Sequence, residues 1–138
     1  MSENIEYINP QGVSPAQGLY SHLTKVKSGD LYYIAGQLSV GMDGSVVGIG
    51  DFEAQFHQVF GNLKGVLATL GLDFNDIVKF NTYMVDSADI PEFMRLRQET
   101  FPSFFATEVY APNTLLMVQR LVKQEFLLEV EAVARSRD

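Results

Sequence analysis

Phe126-Leu127-Leu128-Glu129-Val130-Glu131-Ala132-Val133-Ala134 is the stretch on which the fold turns. An extended chain sends successive side chains to opposite faces, so Phe126, Leu128, Val130, Ala132 and Ala134 make one wholly apolar side of a strand. Leu127, Glu129, Glu131 and Val133 make the other. The apolar side needs a cover, and the segment that begins at Asp51 has the right pattern to provide it. Phe52, Phe56, Val59, Phe60, Leu63, Val66, Leu67 and Leu70 recur at three- and four-residue steps, which predicts an amphipathic helix. Asp51 is placed to cap it, Glu53 suits the positive end of its dipole, and Gly71 supplies a left-handed residue past the last turn. A second helix is expected to open at Asp89, where Asp89 and Glu92 have capping-box spacing and Pro91 falls in the first turn. Phe93, Leu96, Phe101 and Phe104 form its apolar stripe.

The remaining segments read as strands and connections. Residues 5–9 alternate apolar and polar before a loop marked by Pro10, Gly12 and Pro15. Residues 21–26 and 31–35 favour β-structure and are joined by Lys27-Ser28-Gly29-Asp30, so a β-hairpin is predicted. Residues 41–50 are glycine-rich and contain Asp43-Gly44, a crossover with a turn. Residues 77–85 return to β-branched and aromatic types, and residues 114–118 and 126–134 close the sheet after Pro112. The order β-ββ-α-β-α-ββ predicts a single α+β domain over residues 1–138, one mixed β-sheet with two helices packed on one face.

Composition narrows the functional classes. At 138 residues, 46% hydrophobic and 20% charged, the chain has the apolar content of one folded domain. It has no cysteine, so disulfides, thiolate nucleophiles and thiolate metal sites are excluded. Ten basic against seventeen acidic residues give a net charge of −7, the wrong sign for holding a phosphate backbone; nucleic acid is not an expected partner. No apolar run reaches the ~18 residues needed to span a bilayer, so no membrane partner is expected either. Residues 1–12 carry two glutamates and no apolar core, which does not read as a secretory leader; the expected location is cytoplasmic.

Two helices cover only one face of the sheet, yet Leu31-Tyr32-Tyr33-Ile34-Ala35 and Leu115-Leu116-Met117-Val118 hardly alternate. Self-association is the simpler cover for the second face, with clefts where subunits meet; a monomer with a ligand-filled groove is the other reading. The two histidines, His22 and His57, lack metal-site spacing and read as surface or edge residues; no metal site is expected. The glycines of residues 41–50 do not form a phosphate-binding loop, and no glycine-flanked nucleophile elbow is present. Glu129 and Glu131 stand out because they share a strand face that a partner is expected to cover. They are candidates either for an interfacial network or for catalysis.

Several local sequences then line up in order: Gly18-Leu19-Tyr20-Ser21-His22, Ser28-Gly29-Asp30, Ala35-Gly36-Gln37, Asn62-Leu63-Lys64-Gly65-Val66-Leu67 with Gly71, Asp76-Ile77-Val78-Lys79, Arg120-Leu121 and Leu128-Glu129-Val130-Glu131-Ala132-Val133-Ala134. Together they resemble the Rid/YjgF family of reactive-intermediate deaminases, also labelled endoribonuclease L-PSP. The resemblance implies a chorismate-mutase-like fold assembled as a homotrimer, with clefts between subunits and no cofactor. It also implies hydrolysis of small enamines or imines, often 2-imino acids, to oxo compounds and ammonia. Matched residue by residue, it assigns the water-holding glutamate to Glu131. Tyr20, Gly36 and Gln37 match cleft positions, with Ala35 beside them. The carboxylate-clamping arginine does not carry over: Asn113 occupies its place, flanked by Thr114 and Leu115, and Met94 replaces an asparagine of the second helix. The implied function is therefore hydrolysis of a small reactive nitrogen metabolite, an enamine or imine, at an intersubunit cleft, with Asn113 in the arginine's place counting against the usual 2-imino acids. The alternative is a trimer that binds a metabolite, or regulates, without the chemistry.

Overall fold

The computed structural model describes residues 4–138. The first three residues, where the leader reading and the 1–138 domain span begin, lie outside the described residues. The elements in chain order are β1 (Ile5–Ile8), β2 (Leu23–Val26), β3 (Leu31–Gln37), α1 (Phe52–Thr69), β4 (Ile77–Met84), α2 (Ile90–Phe104), β5 (Asn113–Met117) and β6 (Leu128–Arg135). Strands β3, β6, β4 and β5 form a four-stranded sheet in that order. Pairing is antiparallel except between β4 and β5, so the sheet is mixed and the α+β class holds.

The alternation read from the last strand is the one observed. Phe126, Leu128, Val130, Ala132 and Ala134 are all buried, whereas Leu127, Glu129, Glu131 and Val133 are half-buried. The first set packs under α1, whose Phe56, Val59, Phe60, Leu63 and Leu67 are buried. The space between is filled by phenylalanines. Phe74 stacks on Phe104 at 4.3 Å, and Phe60, Phe80 and Phe101 pack edge-on or tilted around them. Asp51 accepts from the Ala54 amide at 3.0 Å, and Gly71 ends the helix at φ +70°.

Two local expectations are corrected. The hairpin of residues 21–26 and 31–35 does not form: β2 pairs with β1, and β3 pairs with β6. The reason lies in what each strand can complete. Arg135 at the end of β6 bonds the carbonyls of Lys27 and Ser28, and Ser136 N–H bonds Asp30 O, so the connecting loop is fastened to the C-terminal strand. The sheet is accordingly not single; β1 and β2 make a separate two-stranded ribbon. The ribbon is held to β4 by Thr24 Oγ1 donating to Val78 O at 2.7 Å, where β4 bulges between Ile77 and Lys79. The second correction concerns Asp89, whose side chain makes no cap on α2. Asp86 is the cap instead, accepting from Ala88 N at the short 3-10 turn that leads into the helix.

Candidate functional site

Register decides which side chains can meet. Strand β4 is central to the site, with β6 on one side and β5 on the other. Asn81 stands opposite Glu131 and also opposite Thr114, so these three form a row across the face away from the helices. Lys79 and Tyr83 flank Asn81 on the same face by alternation. Phe80 stands opposite Asn113 and Ala132, so Asn113 points to the helix side.

Glu131 is fixed rather than free. Its Oε1 accepts from Tyr83 OH at 2.5 Å and from Asn81 Nδ2 at 3.1 Å. The first of these bonds pushes the Tyr83 phenol above its ordinary pKa, since ionisation would oppose two negative oxygens. Glu129, two residues back, is raised by burial and then by the Glu131 charge. Its carboxylate lies against Gly36, and a Cβ at that position would strike Oε2. Gly36 sits in the irregularity between Ile34 and Gln37, where β3 and β6 lose register. A glycine there lets the acid fold across the strand.

Seven of the nine expected site residues fall into two groups, each lining a cleft, and Gly36 and Gln37 line neither. Tyr20, Met94, Asn113, Thr114 and Leu115 line one cleft of about 470 Å³ where the 17–22 loop and α2 meet the start of β5. Ala35 and Glu131 line a second, of about 350 Å³, on the open face with Asn81. Lys79 borders both, its Nζ donating to Thr114 Oγ1 at 2.9 Å. Gln37 is turned back on its own strand and donates to Ala35 O at 3.0 Å. Within one chain, Asn113 and Glu131 therefore do not share a cavity. Asn113 also has a committed oxygen: Oδ1 accepts from the buried Thr82 hydroxyl at 2.7 Å, leaving the amide N–H groups for the cleft.

Sequence reading missed four residues here. Lys79, Asn81 and Tyr83 were detectable as an every-other-residue set on β4 matching the Glu129 and Glu131 face. The fourth, Arg97, is buried in the apolar stripe of α2 between Phe93 and Phe101. Its signal was a charge at a core position of the helical repeat. Both histidines are at the surface: His22 Nε2 is 2.6 Å from Ser14 O, and His57 lies 3.7 Å from Glu53. Among the described residues no cluster of three or more His, Cys, Asp or Glu could hold a metal, and no helix is long and apolar enough to cross a membrane.

Residues 12–136 match the family model described as endoribonuclease L-PSP. The chain belongs to that family. Its relatives include the 3-aminoacrylate deaminase RutC of Acinetobacter baylyi, 29% identical over 94% of this chain and 96% of the relative. A 2-iminobutanoate/2-iminopropanoate deaminase of Dermatophagoides farinae is 28% identical over 70% of each chain. Among solved structures, the protein YyfB of the conserved Rid family from Yersinia pestis, itself of unknown function, superposes with a TM-score of 0.85. It is 33% identical and covers 96% of this chain and 98% of its own. The Rid/YjgF resemblance read from the sequence thus names the right family and fold.

Proposed function

We propose that this protein hydrolyses a small enamine or imine to the oxo compound and ammonia, at a cleft completed between subunits. The observation that carries the reading is the fixed Glu131 carboxylate. Two side-chain donors hold Oε1, so Oε2 is the oxygen that can orient and deprotonate a water. The water oxygen bonds to the imine carbon, the C=N π pair moves to nitrogen, and a proton follows it. Collapse of the resulting amino alcohol breaks the C–N bond, releasing ammonia as the hydroxyl becomes a carbonyl. Positioning and proton transfer supply what such a reaction needs, without a metal or organic cofactor. Deaminases among the relatives support the reaction class.

The intersubunit cleft and a homotrimer are parts of the same proposal. The helix-free face leaves Tyr33 at 79%, Leu116 at 49% and Leu31 at 42% exposed, a patch that association would bury. Association would also let Glu131 of one subunit approach the β5 edge of another. Sedimentation should give a mass three times that of the chain; a monomer at micromolar concentration refutes the shared cleft. Ammonia release from imines generated in situ should be accelerated by the wild type and not by Glu131→Ala. Equal rates for both proteins and for buffer would refute hydrolysis. That result would favour the metabolite-binding reading, in which Asn113 offers hydrogen bonds without charge at the position where the resemblance puts the family's carboxylate clamp.

A further inference from the structure

The cleft at the start of β5 contains a charge that the mechanism above does not use. Arg97 is 2% exposed, yet among the described residues no carboxylate lies within ion-pair distance of it. Its contacts include a thioether and two rings, with the Tyr20 phenol in electrostatic reach: Nη2 is 3.1 Å from Met94 Sδ, and the guanidinium carbon is 5.2 Å from the Phe93 centroid and 6.0 Å from that of Phe101. These are weak partners for a cation taken out of water. Gly18 makes room for the group, since a Cβ there would strike Nη2. Burial draws the guanidinium down to about 10, still protonated at neutral pH. The same cleft carries Lys79 and His22, and among the described residues no acid lines it, in a chain of net charge −7.

We propose that Arg97 makes this cleft an anion site, and that its ligand is a small carboxylate. The guanidinium enters from α2, on the same side of the sheet as Asn113, whose free amide N–H groups are donors to the same anion. Charge comes from the helix and hydrogen bonds from the strand. The choice of a carboxylate over another anion rests on the deaminase reading; the anion site itself does not. A buried cation without a counter-charge opposes folding, and a ligand anion would offset that cost when bound.

The test is calorimetric titration of the full chain with pyruvate, with its neutral amide and with inorganic phosphate, at low ionic strength, for the wild type and Arg97→Met. Pyruvate is expected to bind at least tenfold more tightly than the amide, and Arg97→Met to lose roughly ten- to hundredfold of the pyruvate affinity. Arg97→Met is also expected to melt no lower than the wild type, because it replaces an unpaired buried charge by an apolar side chain. A variant that binds pyruvate as the wild type does overturns the proposal, as does equal affinity for pyruvate and its amide. Arg97-dependent binding of phosphate with none of pyruvate overturns the carboxylate assignment. Should Arg97→Met fail to fold, Gly18→Ala displaces the guanidinium while keeping its charge. It should weaken pyruvate severalfold, and unchanged affinity there overturns the proposal equally. Arg97-dependent pyruvate binding without ammonia release would sink the hydrolase reading and leave the anion site standing. Ammonia release with no Arg97-dependent binding would do the reverse.

Discussion

Placing an arginine at position 113 should be costly, and the cost is calculable from one hydrogen bond. The Thr82 side chain is 1% exposed as a residue, and its hydroxyl donates to Asn113 Oδ1 at 2.7 Å. Asn113→Arg removes that acceptor and offers only donors in its place. A buried hydroxyl left without a partner costs about 1–3 kcal/mol. For a domain of this size, 1 kcal/mol lowers Tm by about 4 °C, so Asn113→Arg should melt about 4–12 °C below the wild type. Thr82→Val removes the orphan, and Thr82→Val/Asn113→Arg should recover at least half of the loss. The double-mutant cycle, read by thermal and urea unfolding, should give a coupling of about 1–2 kcal/mol. A double variant that melts no higher than Asn113→Arg would refute the claim that Thr82 dictates what position 113 can hold. The same cycle has a functional meaning: with Oδ1 occupied, Asn113 presents donors to the cleft, which suits a ligand oxygen.

Phe74→Ala deletes a ring that stacks on Phe104 and is 2% exposed, so it should lose about 3–5 kcal/mol in urea unfolding; a loss under 1 kcal/mol would show that the aromatic cluster is not the core of the fold. Gly71→Ala forces a Cβ into φ +70° at the end of α1 and should cost about 1–2 kcal/mol by the same assay, with no change expected only if the helix end rearranges. Glu129 is raised in the folded state by burial and by Glu131, so the folded chain holds its proton at a pH where the unfolded chain has released it. Stability from this group is therefore lost as pH rises from the ordinary carboxylate range through the raised value, and Glu129→Gln should flatten that part of the stability profile and be relatively more stable at neutral pH. A parallel profile for the two proteins would contradict the assigned cause.

What could be read from the sequence was local periodicity, and what escaped was partner choice. The 126–134 alternation and the 51–71 helical stripe each reflect a single face meeting a single core. The alternation of burial was observed, on a strand that starts at Leu128. The stripe was observed except at its end, where Val66 is half-buried and Leu70 is exposed past the last turn. Strand pairing is different, because two β-favouring runs joined by a short polar loop fit a hairpin equally well whether or not another strand competes. Here β6 competes for β3 and wins, fastened through Arg135 to the carbonyls of the very loop that would have formed the turn. Asp89 and Asp86 show the same limit at a helix start: both have capping chemistry, and only the backbone direction at the 3-10 turn selects between them.

The site divides along the same line. Glu129 and Glu131 are both conspicuous in the sequence as carboxylates on a strand with an apolar side, and the family resemblance decided between them in favour of Glu131. Its two fixing partners, Asn81 and Tyr83, were not read although they obey the same alternation, since their role depends on β4 lying next to β6. Arg97 is the most instructive omission. The resemblance directs attention to position 113, an asparagine where the family's arginine is expected. The fold answers from another element: α2 brings a guanidinium into the same cleft, with Gly18 opposite making room for it. Because an unpaired buried arginine weakens a core more than an apolar residue of similar size would, its position is better explained by a ligand than by packing. A residue-by-residue match compares positions, whereas a ligand meets the cleft as a whole, so the charge it meets can come from a helix as well as from a strand.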